Sequence, residues 1–277
     1  MKQLPVFILF IFLQFISSGQ VILKNDLTPQ GTVSVQPMKN DLNLRAGEVQ
    51  EFKLYISNKM GAKIQFNVYL GDWKRDTTGT HVYSAPGTTP HSCAGWISFD
   101  KKFIEVDSGA VGIINVKVQV PDSPEAVSEM KWAMLFIESI RESTAPVETK
   151  VMRTEIIPST RFGVHVYQTP PAVFQKELKL NSFSSLSDKD GVFRIICENT
   201  GKVQLHCKSY IELSSQEDGK KITVTPMEVP LFPGQVRYID FSLPEGIPKG
   251  KYTLVGVVDP GDEMDIEAAQ LIINVQD

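Results

Sequence analysis

Ile56-Ser57-Asn58-Lys59-Met60-Gly61 and Cys197-Glu198-Asn199-Thr200-Gly201 follow one short plan twice. Each brings a strand to an Asn, turns within a few residues that include Gly, and starts a second strand, from Ile64 and from Val203. Asn and Gly suit such a turn because both tolerate positive φ. The parallel continues downstream. Asp107-Ser108-Gly109 opens a strand that closes at Pro121, and Pro233-Gly234-Gln235 opens one that closes at Pro244. A strongly apolar strand then follows each, over 131–137 and 252–258. The same order of elements occurring twice predicts two similar domains rather than one large one.

Outward from these anchors, apolar and polar residues alternate with period two. Phe52, Leu54 and Ile56 form one such set; Ile64, Phe66 and Val68 a second; Ile114, Val116, Val118 and Val120 a third; Val203, Leu205 and Cys207 a fourth. No long stretch has the helical period. Many short strands separated by regular turn signals predict an all-β protein made of sandwiches. The expected fold is therefore two immunoglobulin-like β-sandwich domains in tandem. Gln168-Thr169-Pro170-Pro171 marks the boundary, because paired prolines make a stiff, extended joint that no central strand accommodates. The domains are then 31–169 and 172–277. Met130, Trp132, Met134 and Phe136 alternate with Lys131, Ala133, Leu135 and Ile137, so this strand is apolar on both faces and is expected to be covered on both sides.

The stretch from Asn58 to Pro121 is longer by 18 residues than that from Asn199 to Pro244. The excess is placed in 71–93 and reads as an extra hairpin, with Asp76-Thr77-Thr78-Gly79 at its tip and His81-Val82-Tyr83 as its return strand. Insertions on a rigid sandwich serve either as binding elements or as decoration.

The chain opens with a positive charge at Lys2 and an apolar run from Leu4 to Ile16, followed by Ser17-Ser18-Gly19. This predicts an export signal over 1–19, cleaved after Gly19, with an uncleaved anchor as the alternative. The run is shorter than the roughly 20 residues of a membrane span, and no second apolar stretch of that length exists, so no transmembrane segment is expected after cleavage. A formal net charge of -4 gives no reason to expect nucleic acid or an anionic membrane as partner.

Chemistry-bearing motifs are sparse. There is no Gly-x-Ser-x-Gly elbow, no His-Glu-x-x-His pair and no phosphate-cradling glycine loop. Among four histidines, His91 with Cys93 is a close Cys/His combination, and a buried cysteine anchoring a loop is the expected role. A zinc site wants about four ligands, and the spacing supplies no such set. Asp259, Asp262, Glu263, Asp265 and Glu267 are read as a solvated acidic loop rather than a calcium site. No enzyme activity, cofactor or metal is expected. Cys197 and Cys207 flank the Asn199 turn on faces that alternation turns inward. They form either a disulfide, adding roughly 3 kcal/mol, or two buried thiols.

Three segments carry a resemblance. Val33-Ser34-Val35-Gln36-Pro37-Met38-Lys39, with Arg45-Ala46-Gly47-Glu48 and the strand over 52–58, resembles the opening strand pair of the periplasmic pilus chaperones, the PapD-like family. Trp96-Ile97-Ser98-Phe99 through Gly109, with the strand to Pro121, resembles that family's central strands. Pro121-Asp122-Ser123-Pro124, continuing through Glu129-Met130-Lys131-Trp132 to Glu138, resembles its acidic, Pro-containing loop and penultimate strand. Thr160-Arg161-Phe162-Gly163-Val164 lies where the last strand of the domain runs, and the match extends in order over 31–170.

The resemblance implies a periplasmic protein that binds a secreted β-sandwich subunit of the pilus or fimbrial type and lends it a strand. It implies two basic residues holding the subunit's C-terminal carboxylate. Lys39 falls on the first position. Gly163 stands where the family carries the second, and Arg161, on the same strand face, takes its place as the candidate. Met152, Thr154 and Ile156 make the candidate donor face, since Arg153 and Glu155 interrupt the other. The alternative function is a structural or adhesive immunoglobulin-like module of the cell envelope or surface.

Overall fold

The computed structural model describes residues 31–140, 159–186, 191–261 and 264–275, and the expected export signal lies outside them. The strands are β1 (Val33–Gln36), β2 (Lys39–Leu42), β3 (Val49–Asn58), β4 (Ile64–Arg75), β5 (His81–Ser84), β6 (Ile97–Phe99), β7 (Phe103–Val106), β8 (Val111–Gln119), β9 (Lys131–Ile140) and β10 (Arg161–Gln168) in the first half. The second half holds β11 (Leu178–Ser185), β12 (Val192–Asn199), β13 (Leu205–Ser215), β14 (Lys221–Thr223), β15 (Met227–Leu231), β16 (Val236–Ser242), β17 (Gly250–Asp259) and β18 (Glu267–Val275). The helical content described is two single turns of 3-10 helix, Ala94–Trp96 and Glu125–Val127.

In the first sandwich a sheet of order β1-β3-β8-β6 faces one of order β2-β10-β9-β4-β5, with β7 also against β4. Period-two alternation sends Leu54 and Ile56 of β3, Phe66 and Val68 of β4, and Ile114, Val116 and Val118 of β8 into one core. They meet Ala133, Leu135 and Ile137 of β9 there. In the second sandwich β11-β12-β16 faces β14-β13-β17-β18, with β15 against β13. Ile195 and Cys197 of β12 meet Leu205, Cys207 and Ile211 of β13 across its core. The all-β, two-sandwich expectation is what the structure shows.

The repeat persists at atomic detail. The Asn58 side-chain amide donates to Ala62 O and Val106 O, both at 2.9 Å, while its Oδ1 accepts from Met60 N at 2.9 Å. Asn199 donates to Val203 O at 2.9 Å and Leu231 O at 3.0 Å, and accepts from Gly201 N at 2.9 Å. Gly109 N donates to the Asn58 carbonyl and Gly234 N to the Asn199 carbonyl. Both asparagines are fully buried. Each closes a turn and ties it to a later strand, β7 for Asn58 and β15 for Asn199, which explains why the same residue type stands at both places.

The insertion is a hairpin as expected. β4 runs on to Arg75 and β5 returns along it, Arg75 facing His81. At the tip Asp76 Oδ1 accepts from Thr78 N and Thr80 N, both at 2.9 Å. Fully buried Asp72 then gathers the following loop, accepting from Thr88 N and Thr89 N at 2.8 Å and from Ser92 Oγ at 2.6 Å. The two prolines after β10 differ from expectation. Pro170 O accepts from Val173 N at 3.0 Å, so they start a turn and not an extended joint. The chain reverses here to begin β11, and Pro171 takes the second turn position, where its fixed φ fits.

Candidate partner-binding edge and inter-sandwich seam

The strand that matters most is β10. Along all eight of its residues it pairs antiparallel with β9, from Arg161 opposite Glu138 to Gln168 opposite Lys131. On its other side β2 covers only half of it, in parallel register, from His165 opposite Lys39 to Gln168 opposite Leu42. Gln168 locks this end, its side chain accepting from Leu44 N at 3.1 Å and donating to Leu44 O at 2.6 Å. His165 N donates to Met38 O and Thr169 N to Leu42 O, so odd-numbered amides face the β2 side. By the pleat, the backbone groups of Arg161 and Gly163 face the same way, and among the described residues no strand pairs with them there. Among the described residues, the first half of β10 is an open strand edge.

Lys39 stands where that open edge meets β2. Its ammonium is 2.9 Å from Asp41 and 5.3 Å from the centre of the Tyr167 ring, with the side chain 54% exposed. Beside it a cleft of about 350 Å³ opens between the sandwiches, walled by Met130, Thr169, Val173, Phe174, Val203 and His206.

Arg161 shares the outer face of β10 with His165 but stands four residues away, about 13 Å along the strand. It lies over the rings of Tyr83 and Phe136, at 5.4 and 5.0 Å. The structure thus does not bring Lys39 and Arg161 together. Gly163, midway, is glycine for a packing reason: a Cβ there would run into Met134 Sδ. A side chain at that position would have to displace Met134, and the residue beside Lys39 is His165.

His165 belongs to an aromatic seam. The outer face of β9, Trp132, Met134 and Phe136, packs with Met130, Trp73 and Tyr167 and receives Phe232 from the second sandwich. Trp73 sits at the centre, with ring centres 5.0 Å from Phe232, 5.0 Å from His165 and 4.8 Å from His81. So β9 is covered on both sides, as its sequence predicts. Burial pushes the His165 imidazole down to about 4, helped by His81, Arg75 and Lys39 nearby, while its Nδ1 lies 3.1 Å from the Tyr167 hydroxyl. Backbone bonds join the sandwiches as well, Met130 N to Lys202 O at 2.9 Å and Tyr238 N to Thr77 O at 2.7 Å. The outward position of His165 follows from the alternation of β10. That Phe232 reaches Trp73 across 159 residues has no local signal.

Cys197 and Cys207 face each other across the second core as expected, and both are free thiols, as is Cys93. Burial pushes their pKa values up, Cys93 to about 12, Cys197 to about 11 and Cys207 to about 12, so none is poised as a nucleophile. His91 stacks on Trp132 at 4.7 Å and meets Glu129 at 3.4 Å. Among the described residues no group of three or more His, Cys, Asp or Glu is placed to hold a metal ion. The candidate donor residues Met152, Thr154 and Ile156 lie outside the described residues, as do Asp262 and Glu263. No described helix is long and apolar enough to cross a membrane.

No family model and no curated relative matches the chain. Solved structures do resemble it. One is a chaperone–tip adhesin complex of CFA/I fimbriae biogenesis, with a TM-score of 0.46, 14% identity, and 88% of this chain and 98% of that one covered. A second is the CsuC–CsuE chaperone–tip adhesion subunit pre-assembly complex from the Csu pili of Acinetobacter baumannii, at 0.46, 11%, 87% and 98%. A third is the Salmonella enterica SafA pilin in complex with the SafB chaperone, at 0.42, 14%, 88% and 98%. Each of the three contains a chaperone in complex with its subunit or adhesin.

Proposed function

We propose that this chain is an exported, periplasmic chaperone-like protein, not an enzyme, that holds a secreted β-sandwich subunit by strand addition at the open half of β10. The domains doing so are 31–169 and 172–277. The observation that carries the reading is the unpaired edge at Arg161 to Val164, ending at Lys39. An unpaired edge in the middle of a covered sheet invites a guest strand. A guest continuing the line of β2 in the same direction would end its chain beside Lys39. A terminal carboxylate there gains a charge-assisted hydrogen bond from the ammonium. Arg161, at the far end of the open edge, is placed to meet the guest's side chains rather than its terminus. Met152, Thr154 and Ile156 precede this edge in the sequence and are, on this reading, the donor residues.

The test is affinity purification of the tagged protein from the periplasm of its own host, followed by mass spectrometry. The expected result is a stoichiometric small secreted β-protein that is lost with Lys39→Ala. A clean monomer, or recovery only with the cell envelope, overturns the reading in favour of a structural or adhesive module.

A further inference from the structure

Away from the β10 edge, the tip of the β4–β5 hairpin brings together two guanidiniums from different sandwiches. Arg75, the last residue of β4, donates from Nη1 to Gly79 O at 2.7 Å. Arg237 comes from β16 and lies directly against Gly79, where a Cβ would collide with its Nη1; Gly79 has φ +90 there. The Tyr238 N to Thr77 O bond pins the tip to β16. His81 stands in register with Arg75, and Trp73 packs against both, 4.8 Å from the His81 ring and 6.0 Å from Arg75 Cζ.

This group is rich in nitrogens without partners. Among the described residues, buried Arg75 Nε, Arg237 Nε and Nη1, His81 Nε2 and Trp73 Nε1 have no hydrogen-bond partner. Buried donors are nearly always satisfied, and two like charges in proximity disfavour each other. Burial first, and then the nearby Arg75 charge, disfavour the charged form of Arg237. Asp76 is the carboxylate that acts on Arg237, but its Oδ1 is already held by Thr78 N, Thr78 Oγ1 and Thr80 N. Arg75, His81 and Arg237 are each half-buried, while the unpartnered nitrogens themselves are buried.

We propose that this seam binds a small tetrahedral oxyanion of the phosphate or sulfate class between Arg75 and Arg237, with His81 beside it. Four oxygens match donors that arrive from β4, β5 and β16, and guanidiniums are the side chains best suited to such an anion. The bound ion ties the first sandwich to the second. The site uses neither the β10 edge nor Lys39, so it stands or falls separately from the function proposed above.

Calorimetric titration of the full chain with inorganic phosphate at pH 7, at ionic strength held constant with chloride, tests this. Sulfate forms a second arm. The expected result is one saturable site, a higher unfolding temperature with phosphate, and affinity lowered roughly tenfold or more in Arg75→Gln and in Arg237→Gln. Arg45→Gln, far from the seam and paired with Glu48, leaves the affinity unchanged. No saturable heat beyond the chloride control, or equal affinity in wild type and both seam variants, overturns the proposal. Should one seam variant not fold, the other and the wild-type thermal shift decide.

Discussion

Lys39 lies directly opposite His165 where β2 runs parallel to β10, and its ammonium stands over the Tyr167 ring two residues further on. The side chain is more than half exposed and its partner Asp41 more so, so this ion pair contributes at most about 1 kcal/mol to stability. Lys39→Ala is therefore expected to leave the unfolding midpoint nearly unchanged while weakening subunit binding about tenfold or more. Binding measured beside denaturant unfolding separates the two. Lys39→Arg is expected to retain binding.

Gly163 and Arg161 are expected to behave differently although they share a strand face. Gly163→Ala sets a methyl against Met134 Sδ in a seam packed on both sides. It is expected to cost about 1–3 kcal/mol in urea unfolding. Arg161→Ala removes two ring contacts at a largely exposed site and is expected to cost less than about 1 kcal/mol.

Asn58→Ala and Asn199→Ala each leave two carbonyls and one amide without their side-chain partner. Each is expected to cost about 3 kcal/mol. The equivalence of the two sites predicts similar losses, read by urea unfolding.

The three cysteines give a direct chemical count. Buried thiols with raised pKa values are expected not to react with an aromatic disulfide reagent at pH 7 while the chain is folded. Three thiols are expected to react after unfolding in guanidinium. A count of one would mean that Cys197 and Cys207 had joined.

His165 gives stability a pH dependence of definite sign. Its folded pKa, about 4, lies below the unfolded value near 6.5, so the unfolded chain binds the proton first as pH falls. The stability tied to the neutral ring is complete above about pH 6.5 and is lost progressively down to about pH 4. Arg75, His81 and Lys39 all face the ring and act in the same direction. Burial lowers His81 and His91 as well. His165→Gln is expected to shrink, without abolishing, the fall in urea midpoint between pH 7 and pH 4.5.

Much of this architecture was legible because its signals are local. Asn58 and Asn199 mark turns by residue type, the alternation of 131–137 fixes both faces of β9, and Asp76 with Gly79 marks the hairpin tip. The open half of β10 was not legible, since it depends on where β2 stops. Nor was the partner of Lys39: Arg161 and His165 are both polar residues on one strand face, and only the parallel register of β2 selects His165. Phe232 against Trp73, and Arg237 beneath Gly79, are meetings between sandwiches that no pattern along the chain encodes. The turn at Pro170 was misread because paired prolines suit an extended joint and a turn alike.

The hairpin tip that rests on β16 also bears on how a guest is received. Tyr238 N, Met130 N and Phe232 join the second sandwich to the first at separate points, two hydrogen-bonded and one aromatic. On the proposed function, these contacts hold the angle of the cleft before any encounter, so little conformational entropy is lost on capture and affinity rests on the match between guest strand and edge. On the same reading, loosening any of these points while Lys39 is left untouched would slow recognition by adding a search over angles.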